Sequence, residues 1–344
     1  MLVSPQPFSQ GDRDRLATAA EKYGYTIEVA PDHAFDETAG RVASAASDDD
    51  LAAAVADVPG DLSVSTDDRP FFFLTSRFSD VFRENGNVGF LGSGSAPVST
   101  LLGLTLTTLL ATALLIIVPL RKTRDRMPTG LGGPLVGYFA GIGFGFLLIE
   151  IAQLQRLTMF LGHPTYALTV VLFSFLLFGG IGSLVSGRIN ASTNPRVRVA
   201  PLVALLVALV VFNQIRIPMI EGFASATTPV RILVAILLLA PVAFFMGMPF
   251  PIGMTSASER QGPTVLLWAI NGACSVAATV VAVAMTLNFG ISSAYWLGTA
   301  WYAVAATSLF ALFRRRPFSS LEPDVEPSTV ERTEADAALA GAAG

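Results

Sequence analysis

The pattern of apolar and polar residues changes abruptly near Pro97. Before this residue the apolar runs are short and interrupted by charges. After it, each run approaches the roughly twenty residues that a helix needs to cross a hydrocarbon core about 30 Å thick. The pattern therefore predicts an all-α polytopic membrane helix bundle preceded by a water-soluble segment. Seven spans are predicted, at 97–120, 133–161, 165–187, 199–220, 229–254, 264–288 and 292–313.

The soluble segment, residues 1–96, is predicted to be the C-terminal remnant of a Rossmann-like α/β domain. MLVS is a first strand, Ser9 caps a helix over 10–23 that ends at Gly24, and YTIEVA at 25–30 alternates like a second strand. A strand, helix and strand form the unit of a doubly wound sheet, but one unit cannot bury a core by itself. The predicted α/β domain is therefore partial.

Two further elements are predicted outside the membrane. An acidic, alanine-rich stretch favours a helix over 48–56. Residues 314–344 begin with three arginines that stop the last span and continue as an acidic tail, whose Pro, Glu and Thr content is typical of disorder. The domains are thus predicted at 1–96, 97–313 and 314–344.

Composition agrees with a membrane protein. The chain is 52% hydrophobic and only 14% charged, which is too apolar for a wholly soluble protein. Residues 1–96 carry sixteen Asp or Glu against seven Lys or Arg, whereas residues 97–316 carry four against fourteen. The single cysteine, Cys274, excludes a disulfide or paired thiolate ligands within the chain. The two histidines are far apart, so no metal site is predicted, and no nucleic-acid partner is expected.

The basic residues predict the orientation. With seven crossings, eleven Lys or Arg fall at one end of the spans and three at the other. Cytoplasmic loops carry the excess of basic residues. We therefore expect a multi-pass protein of the cell membrane with its C-terminus in the cytoplasm and its N-terminal segment outside. The poorer end contains Arg156, Arg216 and Arg231.

A glycine recurs at every fourth position of the second span. Gly133, Gly137, Gly141 and Gly145 leave one helix face without side chains, so another helix can approach it closely. The pattern predicts helix packing, either inside the chain or between copies in a homo-oligomer.

The same span ends in polar residues that share a face. At 100° per residue, Gln153 lies about 60° and Arg156 about 120° from Glu150 on the same side. An acid at membrane depth costs at least roughly 2.5 kcal/mol on insertion scales, so Glu150 should find a partner, for which Arg156 is the candidate. The alternative is that both side chains reach interfacial water.

Three more residues belong to this candidate membrane polar site. His163 and Tyr166 follow across a short turn and could close it, although a lone histidine before a helix can also be a hydrogen-bonded turn residue. Asn271 in the sixth span, four residues before Ser275, is predicted to hydrogen-bond between helices.

The fifth span ends in GMPFPIG at 247–253. Pro249 and Pro251 remove backbone donors, so the helix must break or end there. Broken helices at membrane depth are tolerated against protein or around a cavity, and transporters use them to bind substrates. The alternative is a helix that simply ends at the cytoplasmic interface.

TDDRPFFF at 66–73 is the candidate soluble motif. Asp67 and Asp68 beside Arg69 could hold a cation or pair internally, and the phenylalanines could lie at a lipid or domain surface. GFLGSGS at 89–95 follows no predicted strand and is interpreted as a linker, so no cofactor-binding loop is predicted.

Together, TDDRPFFF, LLIEIAQLQRLTMFLGHPTYALT, GMPFPIG and WAINGACSVAATVVAV resemble the C-terminal part of the membrane-fused proteins usually called spermidine synthase-like. The resemblance covers Thr66 to about Phe313. It implies membrane helices joined to a Rossmann-type domain of the aminopropyltransferase and methyltransferase kind, which handles S-adenosylmethionine or its decarboxylated form. The cofactor turn and catalytic acid of such a domain would lie upstream of residue 1, so no catalytic residue is carried over and the ligand is expected only with that domain.

Three functions are compatible with these residues. The first is a membrane module that anchors, or handles substrate for, a Rossmann-type domain encoded upstream, whether the chain is a split partner, a truncated gene product or a membrane-only member. The second is an independent small-molecule transporter that uses the break at 247–253 and a polar site at Glu150. The third is a membrane-embedded enzyme that uses Glu150, Arg156 and His163.

Overall fold

The computed structural model describes residues 8–27, 29–30, 33–34, 37–56, 65–71, 96–122, 132–192, 194–260 and 263–315. The chain divides into two compact units. The first comprises Met1–Thr66 and Phe71–Ser99, and the second comprises Asp67–Pro70 and Thr100–Gly344. All candidate site residues of the sequence analysis lie in the second unit.

Short helices dominate the described part of the first unit. Ser9 caps α1, because its hydroxyl accepts the backbone N–H of Asp12, and Gly24 ends the helix with a left-handed φ of 69°. The helices predicted over 10–23 and 48–56 are both confirmed. The helices described before residue 57 are α1 (Gln10–Tyr23), α2 (Glu37–Ser44) and α3 (Asp48–Val55).

The predicted partial α/β domain is not supported by the described residues. β1 (Val29–Ala30) and β2 (His33–Ala34) are two residues long and pair antiparallel with each other. The strand predicted over 25–30 is thus reduced to its last two residues. In the sequence a Pro-Asp pair follows, which favours a turn over a longer strand. The predicted MLVS strand lies outside the described residues.

The second unit contains the membrane helices. Seven candidate spans are found among the described residues, with α8 and α9 sharing one span, and they coincide with the seven predicted ones. The prediction of an all-α, multi-pass membrane bundle is therefore confirmed. The helices are α4 (Ala96–Lys122), α5 (Gly132–Leu161), α6 (Pro164–Asn190), α7 (Pro195–Phe223), α8 (Thr228–Met246), α9 (Pro249–Ser258), α10 (Thr264–Phe289) and α11 (Ile291–Arg315).

Helix α5 is the most buried span of the bundle and packs against α11 through its glycines. A Cβ added at Gly137 would meet the hydroxyl of Ser308, and one at Gly141 would meet the backbone of Trp301. Gly145 lies against Tyr302. A Cβ at Gly133 would meet nothing within 4 Å. Three of the four glycines are therefore covered inside the chain, as the intramolecular alternative of the prediction expects, and packing between copies stays a prediction.

The fifth span breaks and then continues. α8 ends at Met246 and α9 begins at Pro249, so the helix breaks at residues 247–248, within the predicted stretch 247–253, and then resumes. Pro251 has no N–H with which to serve the carbonyl of Gly247. The hydroxyl of Tyr138 on α5 donates to the carbonyl of Pro249 at 2.6 Å, so the break packs against protein.

From α5 onwards, short connections make successive spans run in opposite directions, which gives the bundle two ends. We call one the Asp68 end, because residues 67–70 lie there against the start of α11. The other is the Arg198 end, where α6 turns into α7. Since α11 is 25 residues long, about 37 Å, it carries the chain from the Asp68 end across a bilayer to Arg314. Residues 67–70 and Arg314 therefore lie at opposite ends.

Candidate functional site

Arg156 is the centre of a polar cluster at the Asp68 end. Its side chain is only 4% exposed, although it sits in the last turns of a membrane helix. Nη2 of Arg156 donates to the hydroxyl of Ser292 on α11 at 2.8 Å and lies 3.9 Å from Oδ1 of Asp68. The guanidinium also lies over the ring of Tyr295, 5.1 Å from its centroid. We call Arg156, Asp68, Ser292, Tyr295 and Arg216 the Arg156 cluster.

Asp68 caps α11 from a distant part of the sequence. Its backbone carbonyl accepts the N–H of Ile291 at 2.8 Å, and its Oδ1 accepts the N–H and the hydroxyl of Ser292 at 2.8 and 2.6 Å. The first N–H groups of a helix have no partner within the helix, and an acid there also favours the helix dipole. The motif predicted to hold a cation or pair internally therefore acts as a helix cap.

Gly290 makes this cap possible. It connects α10 to α11 with a φ of 89°, a conformation that a residue with a side chain rarely adopts. A Cβ at this position would collide with the carboxylate of Asp68. The other acid of the motif, Asp67, is exposed, and Arg69 is partly buried.

Tyr295 links the cluster to α7. Its hydroxyl donates to the carbonyl of Leu209 at 2.6 Å, and its ring stacks on Phe212 with centroids 6.0 Å apart. Arg216 lies one turn beyond Phe212, and its charge acts on both Arg156 and Tyr295. Nε of Arg216 donates to Oδ1 of Asn213 at 3.1 Å. The cluster therefore joins α5, α7 and α11.

The two glutamines of α5 are split between different neighbours. Gln153 is 1% exposed, and its amide nitrogen has no hydrogen-bond partner among the described residues. Gln155 donates to the hydroxyl of Thr286 on α10 at 3.2 Å. Gln153 therefore faces the interior as predicted, beside Arg156 on the same helix face.

Glu150 and Arg156 do not pair. The ion-pair partner of Arg156 is Asp68, and no hydrogen bond or ion pair of Glu150 is found among the described residues. The separation of six residues places Arg156 more than a turn and a half further along the helix, where α11 and the Asp68 turn supply its neighbours. Glu150 is partly buried, so neither predicted alternative describes the two residues together.

His163 and Tyr166 lie apart from the cluster as exposed residues at the start of α6. Nδ1 of His163 accepts the backbone N–H of Thr165 at 3.2 Å, and its ring lies 5.6 Å from that of Tyr166. This geometry agrees with the alternative that His163 is a hydrogen-bonded turn residue, which here caps helix α6. Nothing in the described contacts joins these two residues to Glu150.

Asn271 connects α10 to α5 as predicted. Its Nδ2 donates to the carbonyl of Phe139 at 3.2 Å, and the carbonyl of Gly143 accepts the hydroxyl of Ser275 at 3.3 Å. A Cβ at Gly143 would meet the carbonyl of Asn271 at 2.5 Å, so the two backbones touch. Asn271 belongs to this helix contact.

A second polar group, which we call the Arg198 clasp, lies at the opposite end and was not singled out from the sequence. Arg198 is 1% exposed and grips Glu259 with two hydrogen bonds, Nη1 to Oε2 at 2.5 Å and Nη2 to Oε1 at 2.8 Å. It also donates to the hydroxyl of Ser256 and to two backbone carbonyls at the end of α6. The clasp comprises Arg198, Glu259, Ser256, Asn190 and Ser192.

Arg260 lies beside the clasp. Its Nη1 donates to the carbonyl of Ser256 at 3.0 Å, and its guanidinium lies over the ring of Phe313, 4.9 Å from the centroid. Burial lowers the pKa of Arg260, and the carboxylate of Glu259 acts against this shift. The ring of Phe313 and the carboxylate of Glu259, which also binds Arg198, thus stabilise the buried charge of Arg260.

Side chains that could hold a metal or a nucleotide-like cofactor were sought among the described residues. No group of three or more His, Cys, Asp or Glu side chains comes together in the described part of the chain. No described residue supplies a glycine-rich turn after a strand, which an S-adenosylmethionine-type ligand would need.

These arrangements have to be interpreted from their own chemistry. No family model matches the chain, and neither a curated protein nor a solved structure is significantly similar to it.

Proposed function

We propose that this chain is the membrane module of a spermidine synthase-like protein and that it holds a Rossmann-type extramembrane domain at the Asp68 end of its helix bundle. The observation that carries the proposal is the cap of α11 by Asp68, backed by Arg156. Residues 67–70 precede the first span, so a domain attached there would be fixed to the bundle through this contact.

The interlocking of the quoted motifs supports the proposal. TDDRPFFF meets the end of IEIAQLQR through Asp68 and Arg156. GMPFPIG meets α5 through Pro249 and Tyr138. WAINGACS meets α5 through Asn271. Motifs spread over two hundred residues thus converge on one helix, as expected if they form a single structural unit.

An S-adenosylmethionine-type ligand would be handled by the attached domain, because the membrane helices provide only a platform. Labelled S-adenosylmethionine and its decarboxylated form are therefore the probes of the proposal. Full-length protein is purified from its native membranes in mild detergent, and ligand retention is compared between wild type, Asp68→Ala and Asp67→Ala. We expect retention by wild type and Asp67→Ala and its loss in Asp68→Ala. Absence of retention in the wild type, or equal retention in all three, would overturn the proposal.

The orientation is a separate part of the proposal. The basic residues favour the Arg198 end in the cytoplasm, which leaves the Asp68 end and its domain outside. In a variant without Cys274, Asp67→Cys and Ser258→Cys place a thiol at exposed positions of opposite ends. We expect a membrane-impermeant reagent added outside to label only the first. Labelling of only the second would reverse the orientation and put the domain in the cytoplasm.

A second function is favoured by Glu150. The carboxylate of Glu150 lies in a membrane span and has no hydrogen-bond or ion-pair partner among the described residues, so it can serve as the counter-charge of a cationic substrate. The broken span packs against the same helix, α5. Uptake of labelled spermidine by proteoliposomes that contain only this chain tests transport. Uptake that Glu150→Gln abolishes would establish the transporter, and no uptake above empty liposomes would exclude it for this substrate.

A further inference from the structure

The Arg156 cluster has more donors than acceptors. Nη1 of Arg156 is buried without a hydrogen-bond partner, although Nη2 of the same guanidinium donates to Ser292. One turn before it on the same helix face, the amide nitrogen of Gln153 is also buried and unpartnered. A buried polar atom left without a partner costs about 1–3 kcal/mol, so these two donors need an acceptor.

The net charge of the Arg156 cluster is positive, which suits a negatively charged acceptor. Two described charged side chains interact electrostatically with Arg156: Arg216 repels its positive charge and Asp68 attracts it. Together the three carry a net charge of +1. Asp68 is already committed, since its Oδ1 accepts two hydrogen bonds from Ser292 and stays 3.9 Å from Arg156. The carboxylate therefore does not saturate the arginine.

Arg216 is the second arginine of the Arg156 cluster. It follows Phe212 by one turn of α7, Phe212 stacks on Tyr295, and Arg156 lies over Tyr295. Nε of Arg216 donates to Asn213, and no described residue accepts from its two terminal nitrogens. Arg156 over Tyr295 and Arg216 one turn beyond Phe212 thus both belong next to one aromatic pair, and each has at least one terminal nitrogen without a hydrogen-bond partner among the described residues.

We propose that the Arg156 cluster binds an oxyanion, a phosphate or carboxylate group that accepts hydrogen bonds from Arg156 and Arg216 together. Planar guanidinium groups bind such groups in bidentate geometry, and the low dielectric at a helix end strengthens the interaction. The site does not depend on the function proposed above, because its two arginines belong to the membrane helices. The oxyanion is either a free ion from solution or the phosphate of a lipid headgroup.

Inorganic phosphate in a phosphate-free maltoside micelle is the first probe. The melting temperature of the full-length chain is followed as sodium phosphate replaces sodium chloride at constant ionic strength. We expect a saturable rise in the wild type, because a ligand that binds the folded state stabilises it. Arg216→Gln should raise the apparent dissociation constant at least about tenfold, since it removes one of the two charged partners.

Arg231→Gln is the matched control. It removes one positive charge from the same end, where Nη1 of Arg231 donates to the carbonyl of Phe160. We expect this variant to keep the phosphate effect even if it melts lower. A phosphate effect that both variants lose equally would mean general attraction to a positive surface and would overturn the site.

Phosphatidylglycerol added to the micelles identifies the source. If phosphate has no effect but this lipid raises the melting temperature of the wild type and not of Arg216→Gln, the ligand is a lipid headgroup. If inorganic phosphate acts, the ligand is a free oxyanion. If neither probe stabilises the wild type, the inference is wrong. Melting of unliganded Arg216→Gln in a cooperative transition confirms that the variant is folded.

Discussion

The two ends of the bundle each contain a buried arginine beside one acid, yet they satisfy it differently. Arg198 makes two hydrogen bonds to Glu259, one to Ser256 and two to backbone carbonyls, so all its nitrogens have acceptors. Arg156 makes one hydrogen bond, to Ser292, and its nearest acid stands 3.9 Å away.

This difference separates a structural clasp from a candidate binding site. A buried charge is tolerated where its hydrogen bonds are complete, and such a site has little capacity left for a ligand. An arginine that still has N–H groups without acceptors can bind a ligand through them. The Arg198 clasp therefore ties the turn after α6 to the end of α9, whereas the Arg156 cluster combines a cap of α11 with free donors.

The largest effect is expected at the clasp. Arg198→Ala leaves Glu259 without its bidentate partner and two carbonyls without donors, so we expect a loss of about 3 kcal/mol in the free energy of unfolding. Arg196→Ala, an exposed arginine on the same helix turn, should change it by less than about 0.5 kcal/mol. Unfolding in detergent mixtures measures both, and similar losses would contradict the assignment of a clasp.

The next effect concerns the loop that brings Asp68 to α11. Gly290→Ala forces a side chain into a left-handed φ and against the Asp68 carboxylate, so we expect a loss of about 2 kcal/mol. Gly272→Ala is the control, because a Cβ at that helical position meets nothing within 4 Å. It should leave stability unchanged or raise it slightly. Equal melting temperatures for the two variants would refute the role given to Gly290.

A smaller effect is expected when the cluster loses its central charge. Arg156→Ala removes one charged hydrogen bond and the contact with Tyr295, for a loss of about 1–2 kcal/mol. Arg216→Ala should cost less, because that side chain is only partly buried and its hydrogen bond goes to Asn213 on its own helix. Thermal melting in one detergent compares them. The reverse order would show that Arg216 and not Arg156 holds the cluster together.

The smallest effect is expected at Glu150. Glu150→Gln breaks no described ion pair or hydrogen bond, so the free energy of unfolding should change by less than about 0.5 kcal/mol and the protein should still insert. A loss above about 1 kcal/mol would reveal a structural partner. Unchanged stability together with lost uptake would separate a transport role from a packing role.

Several features could be predicted because their signals are local. The cap of α1 needs only Ser9 and a partner three residues on, and the break in the fifth span needs only prolines without N–H groups. The failure at 25–30 is also informative. An alternating stretch does not specify how long a strand is or what it pairs with, and the two-residue strands described there pair antiparallel with each other.

The sequence predicted which residues of the candidate site share a helix face, but not which residues lie opposite them. Helical geometry placed Gln153 and Arg156 on one face, but it could not say what lies opposite that face. The partners of Arg156 are Ser292 and Asp68, which are separated from each other by 224 residues. Glu150 attracted attention because it is near in sequence, yet proximity along a helix did not produce a pair.

The sequence by itself determined that the described membrane unit is a bundle with seven apolar spans, since hydrocarbon thickness sets the length of a span and every buried backbone group must be satisfied within it. It also determined which face of α5 admits a neighbour. Only the tertiary structure decided that this neighbour is α11, that Asp68 caps it, and that Arg198 is saturated while Arg156 is not. Those outcomes depend on contacts between segments far apart in the chain, and the pattern of a single helix contains no information about its partner.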